Sequence, residues 1–299
     1  MVLHAPVDEG RRIVASEIMR CQTDQGHMDE GSILALAEYY KDHLLRCFLS
    51  NKGRTPAPRS HPSAPSFDLR KESISPLLTP TPKSHAEAKT IALRRDNYCC
   101  VISGKVDSSS IESGLASEVP GVPMTVARAA HIFDRSTNQD LNNDYKRNYA
   151  ASVHAVLERF GGFKSVDELT GEKIHSLKNI LTLSSDIHEW FDQLKIWLEQ
   201  KPDDPEHCYC ICARDNYYLV GLPRKIHLST SDPERYPLPD PRKLAIHAAC
   251  AQVIHLSGAA EHLEKILQEL EMTQVLETDG RSAHILHYAL VRRIDIEAS

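Results

Sequence analysis

The sequence predicts an α+β fold, with a small set of strands flanked by N-terminal and C-terminal helices. Two patterns predict it: apolar residues at three- and four-residue spacing near both ends, typical of amphipathic helices, and short β-branched runs in the middle, typical of strands. Of the 299 residues, 41% are hydrophobic, which is enough for a substantial core. A globular protein with irregular connections is therefore expected.

The first fifty residues are predicted to be helical. Between residues 29 and 49 apolar side chains recur at helical spacing: Ile33, Leu34, Ala37, Tyr40, Leu44, Leu45 and Phe48. This face needs a cover, from the rest of the chain or from a second copy, so a homodimer through the N-terminal helix is one expectation. Residues 51–83 contain seven prolines among Ser and Thr, and they predict a semi-extended linker because proline interrupts helices and ladders alike.

The central part mixes both patterns. Helices are predicted over residues 85–97, 149–160 and 185–194, with a short one from residue 165. Strands are predicted in CCVISG (99–104), AAHIF (129–133), NILTLS (179–184), IWLEQ (196–200), CYCICA (208–213), YYLVGL (217–222) and RKIHL (224–228). The first of these ends at Gly104, and a polar loop is expected over 107–123.

The C-terminal part returns to helical spacing. Asp240 and Pro241 form an N-cap and first-turn pair for a helix over 241–258, and a second helix is predicted over 259–272. The chain is thereby divided into an N-terminal helical segment (1–50), a Pro-rich linker (51–83), a mixed domain (84–228) and a C-terminal helical extension packed on that domain (229–299).

Composition limits the classes of function. No segment reaches the roughly 18 apolar residues of a membrane helix and the start lacks the order of a signal peptide, so no membrane partner and an intracellular location, cytoplasm or nucleus, are expected. The eight cysteines lack the spacing of a secreted disulfide framework, which predicts reduced thiols. With a net charge of -6, a nucleic-acid partner requires a local patch of Lys and Arg.

Three polar residues stand at informative places along these elements. His131 lies in a predicted strand, Asn179 begins a second strand, and His188 lies in the first turns of the helix that follows. A strand with His, a strand with Asn and a helix with His follow one another in the order in which a ββα-metal nuclease finger assembles its site. The sequence therefore predicts a ββα-metal core.

The same residues carry a resemblance to a known family. The segments are RRDNYCCVISGKVD (94–107), ARAAHIFDRSTNQ (127–139), YAASVHAVLERFGG (149–162), NILTLSSDIHEWFDQLKIWLE (179–199) and the tail from residue 237 to residue 267. They resemble fungal proteins with an HNH endonuclease domain, over roughly residues 90–290. The resemblance implies a metal-dependent endonuclease that hydrolyses phosphodiester bonds in DNA.

The resemblance also implies a role for each site residue. His131 would be the general base that deprotonates the attacking water, Asn179 would orient it, and His188 would bind a single divalent ion, Mg²⁺ or Mn²⁺. Ala130 stands where many HNH enzymes have an acidic residue or a second His. Asp192, four residues after His188 and on the same helical face, is the replacement ligand that the spacing favours.

Two weaker candidate ligands are Asp134 and Asp186, and loose metal binding is expected because one carboxylate and one imidazole leave most positions to water. Zinc is a less favoured ion, since the chain contains no CxxC motif and Cys208, Cys210 and Cys212 alternate along a predicted strand, where free buried thiols are the commoner outcome. Trp190, Phe191 and Trp197 are expected in the core rather than as a base-stacking platform, and His154, His175 and His247 on helix surfaces or in the core.

Charge indicates how DNA would be held. Residues 89–201 contain 14 Lys and Arg against 15 Asp and Glu, so this region is nearly neutral. The side chains expected to contact phosphate are Arg94, Arg95, Arg128 and Arg135. We therefore expect weak, salt-sensitive DNA binding.

A second class of function stays open. A metabolic enzyme on the same scaffold, acting on a small molecule through acid–base catalysis, or a non-catalytic interaction module would also fit the neutral domain and Ala130. An apolar pocket around His131 would favour the small-molecule substrate, and an open basic groove would favour DNA.

Overall fold

The computed structural model of the chain describes residues 1–48, 60–62, 65–81 and 86–257. The second C-terminal helix predicted over 259–272 and parts of the Pro-rich segment lie outside the described residues. The helices are α1 (Asp8–Met19), α2 (Glu30–His43), α3 (Pro65–Ile74), α4 (Ala86–Arg95), α5 (Ser108–Glu112), α6 (Asp144–Gly161), α7 (Ser165–Leu169), α8 (Ser185–Asp192) and α9 (Pro241–Leu256). The strands are β1 (Val106–Asp107), β2 (Met124–Thr125), β3 (Ala127–His131), β4 (Ile180–Ser184), β5 (Ile196–Glu199), β6 (Cys208–Ala213) and β7 (Lys225–His227). This mixture confirms the α+β fold.

A ββα unit lies at the centre of the molecule. Strands β3 and β4 are antiparallel, with His131 opposite Ile180 and Ala127 opposite Ser184. Strand β4 continues directly into α8, which packs against both strands. The predicted order of strand, strand and helix is confirmed. Beside this unit lie an antiparallel β5–β6–β7 sheet and the short parallel pair β1–β2.

The N-terminal helices pack on α6, the longest helix of the described chain. Gly10 of α1 crosses so close to α6 that a Cβ atom there would stand 2.3 Å from the Phe160 carbonyl oxygen, and only glycine fits. On α2, Leu36 and Tyr40 are buried, and the Tyr149 hydroxyl of α6 donates to the Asp42 carbonyl at 3.1 Å. The chain itself covers much of the predicted apolar face, and dimerisation through this helix stays a prediction.

The Pro-rich segment is partly helical, which corrects the prediction of a semi-extended linker for residues 65–77. Helix α3 begins at Pro65, a first-turn position where the missing N–H costs nothing, and a 3₁₀ turn follows at Ser75–Leu77. The helix forms because Phe67 and Ile74 are buried where α3 packs against α6. The four-part division of the chain stays a prediction.

Three local predictions in the middle of the chain are wrong. CCVISG forms a turn, because the Gly104 amide donates to the Cys100 carbonyl at 2.8 Å and the Cys100 amide donates to the Lys105 carbonyl at 2.9 Å. YYLVGL contains a 3₁₀ turn, Asn216–Leu219, in place of a strand. The expected loop over 107–123 begins with α5, whose Asp107 side chain accepts from the Ser110 amide at 3.0 Å.

The core confirms the predicted place of the aromatic cluster. Phe191 and Trp197 are buried in one apolar cluster that extends from the N-terminal helices to α9, and Trp190 packs against it. All eight cysteines are free thiols, as predicted, but Cys208, Cys210 and Cys212 are half-buried and not buried as expected. No helix within the described ranges combines the length and apolar character that crossing a membrane requires.

Candidate functional site

The ββα unit gathers the three residues of the predicted site. His131 is the last residue of β3, Asn179 ends the 3₁₀ turn Leu177–Asn179 that leads into β4, and His188 lies one turn into α8. Because β4 runs into α8 without a loop, the strand register and the packing of α8 on both strands together set the positions of Asn179 and His188 relative to His131.

Asn179 uses its entire amide group to hold the backbone around the site. Its side chain is fully buried, and its Oδ1 accepts from the Phe133 amide at 3.0 Å. Its Nδ2 donates to the carbonyl of Phe133 at 3.0 Å and to that of Ile174 at 2.9 Å. Its own carbonyl accepts from the Ile132 amide at 2.8 Å. Asn179 therefore fixes the two residues that follow His131 and has no side-chain contact to offer a substrate.

Arg95 is buried, which corrects the expectation that it contacts phosphate. The residue is 2% exposed, and its guanidinium forms a two-pronged ion pair with Asp96, with both distances 2.8 Å. It also donates to the carbonyl oxygens of Leu177 at 2.9 Å and Ile180 at 2.8 Å, on either side of Asn179. Arg95 thus stabilises the turn that carries Asn179.

His131 has an imidazole partner that the sequence did not single out. His131 is half-buried, and its Nε2 lies 2.9 Å from Nδ1 of His175. His175 ends the 3₁₀ turn Gly171–His175 and is buried. No periodic pattern in the sequence indicates a site role for His175. Its position four residues before Asn179 is the feature of the sequence that points to the site.

His188 and Asp192 form a pair on α8. Their Nε2 and Oδ2 atoms are 3.3 Å apart, and both side chains keep part of their surface exposed. Burial and, to a smaller extent, the Arg128 cation lower the pKa of His188 to about 4, against the opposing effect of the Asp134 carboxylate. The imidazole is therefore neutral at neutral pH, the form that binds metals.

The chemistry of this pair fits a loosely held divalent ion. Neighbouring ligand atoms around Mg²⁺ stand about 3 Å apart when each lies about 2.1 Å from the ion, close to the separation of this imidazole and carboxylate. No cluster of three or more His, Cys, Asp or Glu with metal-ligand geometry occurs among the described residues. For a bound ion, the pair would supply two ligands and water the rest. Ala130, directly before His131, is fully buried and adds no ligand.

The two weaker candidate ligands have other contacts. Asp134 caps the 3₁₀ turn Arg135–Asn138, its Oδ1 accepting from the Ser136 amide at 2.6 Å. Asp186 is exposed and lies 4.0 Å from the Lys105 ammonium.

The remaining arginines lie in different places. Arg128 of β3 is exposed, its Nε donates to the Ser185 hydroxyl at the start of α8 at 3.0 Å, and its charge acts on His188. Arg94 is exposed on α4, where hydrogen bonds with Tyr236 and Tyr98 raise its pKa. Arg135 is half-buried in the turn that Asp134 caps. Arg128 is thus the predicted phosphate contact that stands beside the His188–Asp192 pair.

A cavity lined by both apolar and polar side chains lies beside α6. Its lining includes Phe133, Leu157 and Ile174, and His131 is not among the lining residues. His154, which also borders it, is fully buried between the Ser165 hydroxyl at 2.9 Å and Asn138 Oδ1 at 3.0 Å. Burial lowers the pKa of His154 to about 4. The cavity therefore belongs to the core beside α6.

Comparison with known proteins agrees with this geometry. No curated protein and no solved structure matches the chain. One family model, described as HNH endonuclease, matches residues 100–199, the span that holds β3, β4, α8 and β5. Residues 100–199 are therefore similar to the HNH endonuclease domain family.

Proposed function

We propose that this protein is a metal-dependent endonuclease that hydrolyses phosphodiester bonds in DNA, with His131 as the general base. The observation that carries the proposal is the ββα unit within the region similar to the HNH endonuclease family, where His131 ends β3 and the His188–Asp192 pair, 3.3 Å apart, lies on the helix after β4. The similarity to the HNH endonuclease family supports nuclease-like chemistry in general. The roles of the individual residues and the choice of DNA as substrate are our inference.

In this proposal His131 takes a proton from a water molecule as the water oxygen attacks the phosphorus atom. The bond from phosphorus to the leaving oxygen breaks, and solvent returns a proton to that oxygen. An imidazole suits the task because it takes up and releases a proton near neutral pH. Asn179 does not touch the substrate and acts by fixing the backbone of Ile132 and Phe133.

His188 and Asp192 would hold the divalent ion, Mg²⁺ or Mn²⁺. When bound, the ion would stabilise the negative charge that develops on the phosphate and the leaving oxygen. With only two protein ligands, the affinity for the metal should be low. Zinc is less favoured because, among the described residues, no further His or Cys joins His188 and Asp192 in a metal-binding group.

DNA binding in this proposal rests on few contacts. Arg128 stands beside His188 and is exposed, whereas Arg95 is withdrawn into the core. Because residues 89–201 are nearly neutral, the affinity for DNA should be weak and should fall steeply with salt. An apolar pocket around His131 would favour the alternative, a small-molecule enzyme, and the cavity beside α6 gives it no support because its lining does not include that residue.

A plasmid assay tests the proposal. The purified protein is incubated with supercoiled plasmid and Mg²⁺ or Mn²⁺, beside His131→Ala, His188→Ala and the control His227→Ala, which alters an exposed histidine of β7. We expect nicking by the parent and by the control, loss in the two site variants, and no nicking in EDTA. Equal nicking by all four proteins would indicate a contaminant and would overturn the assignment.

A further inference from the structure

The two imidazoles at the end of β3 are close enough to share a proton. His131 Nε2 and His175 Nδ1 are 2.9 Å apart, with the ring planes at 68° and the centroids 5.1 Å apart, so the rings meet edge to face and not by stacking. Between two nitrogen atoms at this distance one must donate and the other accept. The contact therefore links the tautomers of the two histidines.

His175 is held in this position by the same amide that fixes the residues after His131. Asn179 Nδ2 donates to the carbonyl of Ile174, the residue before His175, at 2.9 Å and to that of Phe133 at 3.0 Å. His175 is itself 9% exposed, whereas His131 is half-buried. The ring of His175 is thus the more firmly enclosed of the two and is placed to orient the other.

The direction of the hydrogen bond between the two rings decides whether His131 can act as a base through Nδ1. If His131 Nε2 donates, its Nδ1 carries the lone pair and can accept a proton from water. If His175 Nδ1 donates, His131 carries its proton on Nδ1 and has no lone pair there. Which nitrogen of a histidine holds the proton is set by the hydrogen bond that the other nitrogen makes.

We propose that His175 is a positioning residue for His131: its Nδ1 accepts the Nε2 proton of His131 and so keeps the proton-accepting lone pair of His131 on Nδ1. This inference rests on the proposed role of His131 as general base. His175 does not touch the substrate, and its effect on hydrolysis passes through the orientation and tautomer of its neighbour.

Two variants separate the hydrogen bond from the packing. His175→Asn keeps an acceptor oxygen near the position of Nδ1, and His175→Leu fills the buried site without any acceptor. Thermal melting of both variants establishes that they are folded. The tautomer of His131 is then read by long-range ¹H–¹⁵N NMR of the imidazole, with the His131 signals assigned by their loss in His131→Gln, and nicking of supercoiled plasmid is measured in parallel.

The parent and His175→Asn should show His131 with its proton on Nε2, and His175→Leu should lose this preference. Nicking should fall about 10- to 100-fold in His175→Leu, in the range typical of residues that orient a ligand or base, and stay within a few-fold of the parent in His175→Asn. A His131 proton on Nδ1 in the parent, or an unchanged tautomer in His175→Leu, overturns the proposal.

The spectroscopic result is independent of catalysis. If the parent does not nick DNA, the proposed function fails, while the tautomer of His131 in the parent and in His175→Leu still decides whether His175 positions it. If the parent nicks DNA and His175→Leu nicks equally well, the positioning role fails and the proposed function stands.

Discussion

The histidines of the ββα unit differ from those of the helical core in their partners. His188 lies 3.3 Å from a carboxylate and keeps part of its surface exposed. His154 is enclosed between Asn138 and Ser165. His247 donates from Nε2 to the Phe191 carbonyl oxygen, and its ring is stacked 3.7 Å from that of Phe191. Burial lowers the pKa of His188 and of His154 alike, to about 4 in each case. A lowered pKa therefore does not distinguish a candidate ligand from a structural histidine, whereas exposure and the chemistry of the partner do.

The adjacent arginines Arg95 and Arg94 also differ in exposure and partners. Replacing the buried one, Arg95, should have the largest effect on stability. Arg95→Ala removes the buried partner of Asp96 and leaves the carbonyl groups beside Asn179 without a donor, so the free energy of unfolding should fall by about 3 to 5 kcal/mol. Arg94→Ala, on the exposed face of α4, should leave it unchanged. Urea unfolding of both variants measures the difference. Equal destabilisation by the two substitutions would contradict the structural role of Arg95.

Asn179→Ala should give the next largest effect. The substitution leaves the amide and carbonyl of Phe133 and the carbonyl of Ile174 without their partner. Each buried group without a partner costs about 1 to 3 kcal/mol, so three groups at the low end of that range give an expected loss of about 3 kcal/mol. Nicking activity should be lost as well, even at temperatures where the variant is folded. Asn143→Ala, which removes the exposed N-cap of α6, is the matched control and should cost about 1 kcal/mol. Full nicking by folded Asn179→Ala would exclude a positioning role.

The enclosed histidine of α6 predicts how stability depends on pH. Burial lowers the pKa of His154 from 6.5 to about 4, so between these values the unfolded chain binds a proton that the folded protein does not. The neutral, buried His154 makes its full contribution to the free energy of unfolding above pH 6.5. This contribution is lost as the pH falls towards 4, and the total loss is at most about 3 kcal/mol. Unfolding measured from pH 7 to pH 4 should show this decline, and His154→Gln should reduce its slope. An unchanged slope would contradict the account.

Arg128→Gln should have the smallest effect. Since Arg128 is exposed, stability should not change, but removal of one phosphate contact should lower the slope of log affinity for DNA against log salt by about 1. Fluorescence anisotropy with a labelled duplex at several salt concentrations measures the slope. Arg70→Gln, an exposed arginine of α3 paired with Glu158, is the control and should leave the slope as in the parent.

The sequence predicted those helices and strands that are determined by neighbouring residues, through caps and apolar patterns. Helix α9 begins at Pro241 as expected, because Asp240 accepts from the Arg242 amide at 2.9 Å in an ordinary N-cap. Strands β3 and β4 and helix α8 were found from their apolar patterns, and with them the order of His131, Asn179 and His188. Helix α3 was missed because its stability comes from Phe67 and Ile74 in contact with α6, a distant segment.

The site was less predictable than the fold around it. His175 reaches His131 through tertiary packing between a 3₁₀ turn and a strand end, and no spacing rule connects residues 131 and 175. Helical spacing separates the two arginines, because Arg95 is three residues after Ala92, which packs into a small apolar cluster, whereas Arg94 is two residues after it and points away from it. The direction of a side chain on a helix therefore indicates its role as much as its charge does.

The most direct test of the distinction between the two groups of histidines compares His131→Gln with His154→Gln in one preparation. Thermal melting and metal-dependent plasmid nicking are measured for both variants and the parent. We predict that His131→Gln melts close to the parent but loses nicking by about 10² to 10⁴-fold, as expected for removal of a general base. His154→Gln should melt several degrees lower, since a loss of about 1 kcal/mol lowers the melting temperature of a chain of this size by about 2 to 4 °C, and should keep its activity per folded molecule. Nicking by His131→Gln at the rate of the parent would contradict the assignment of His131 as the base.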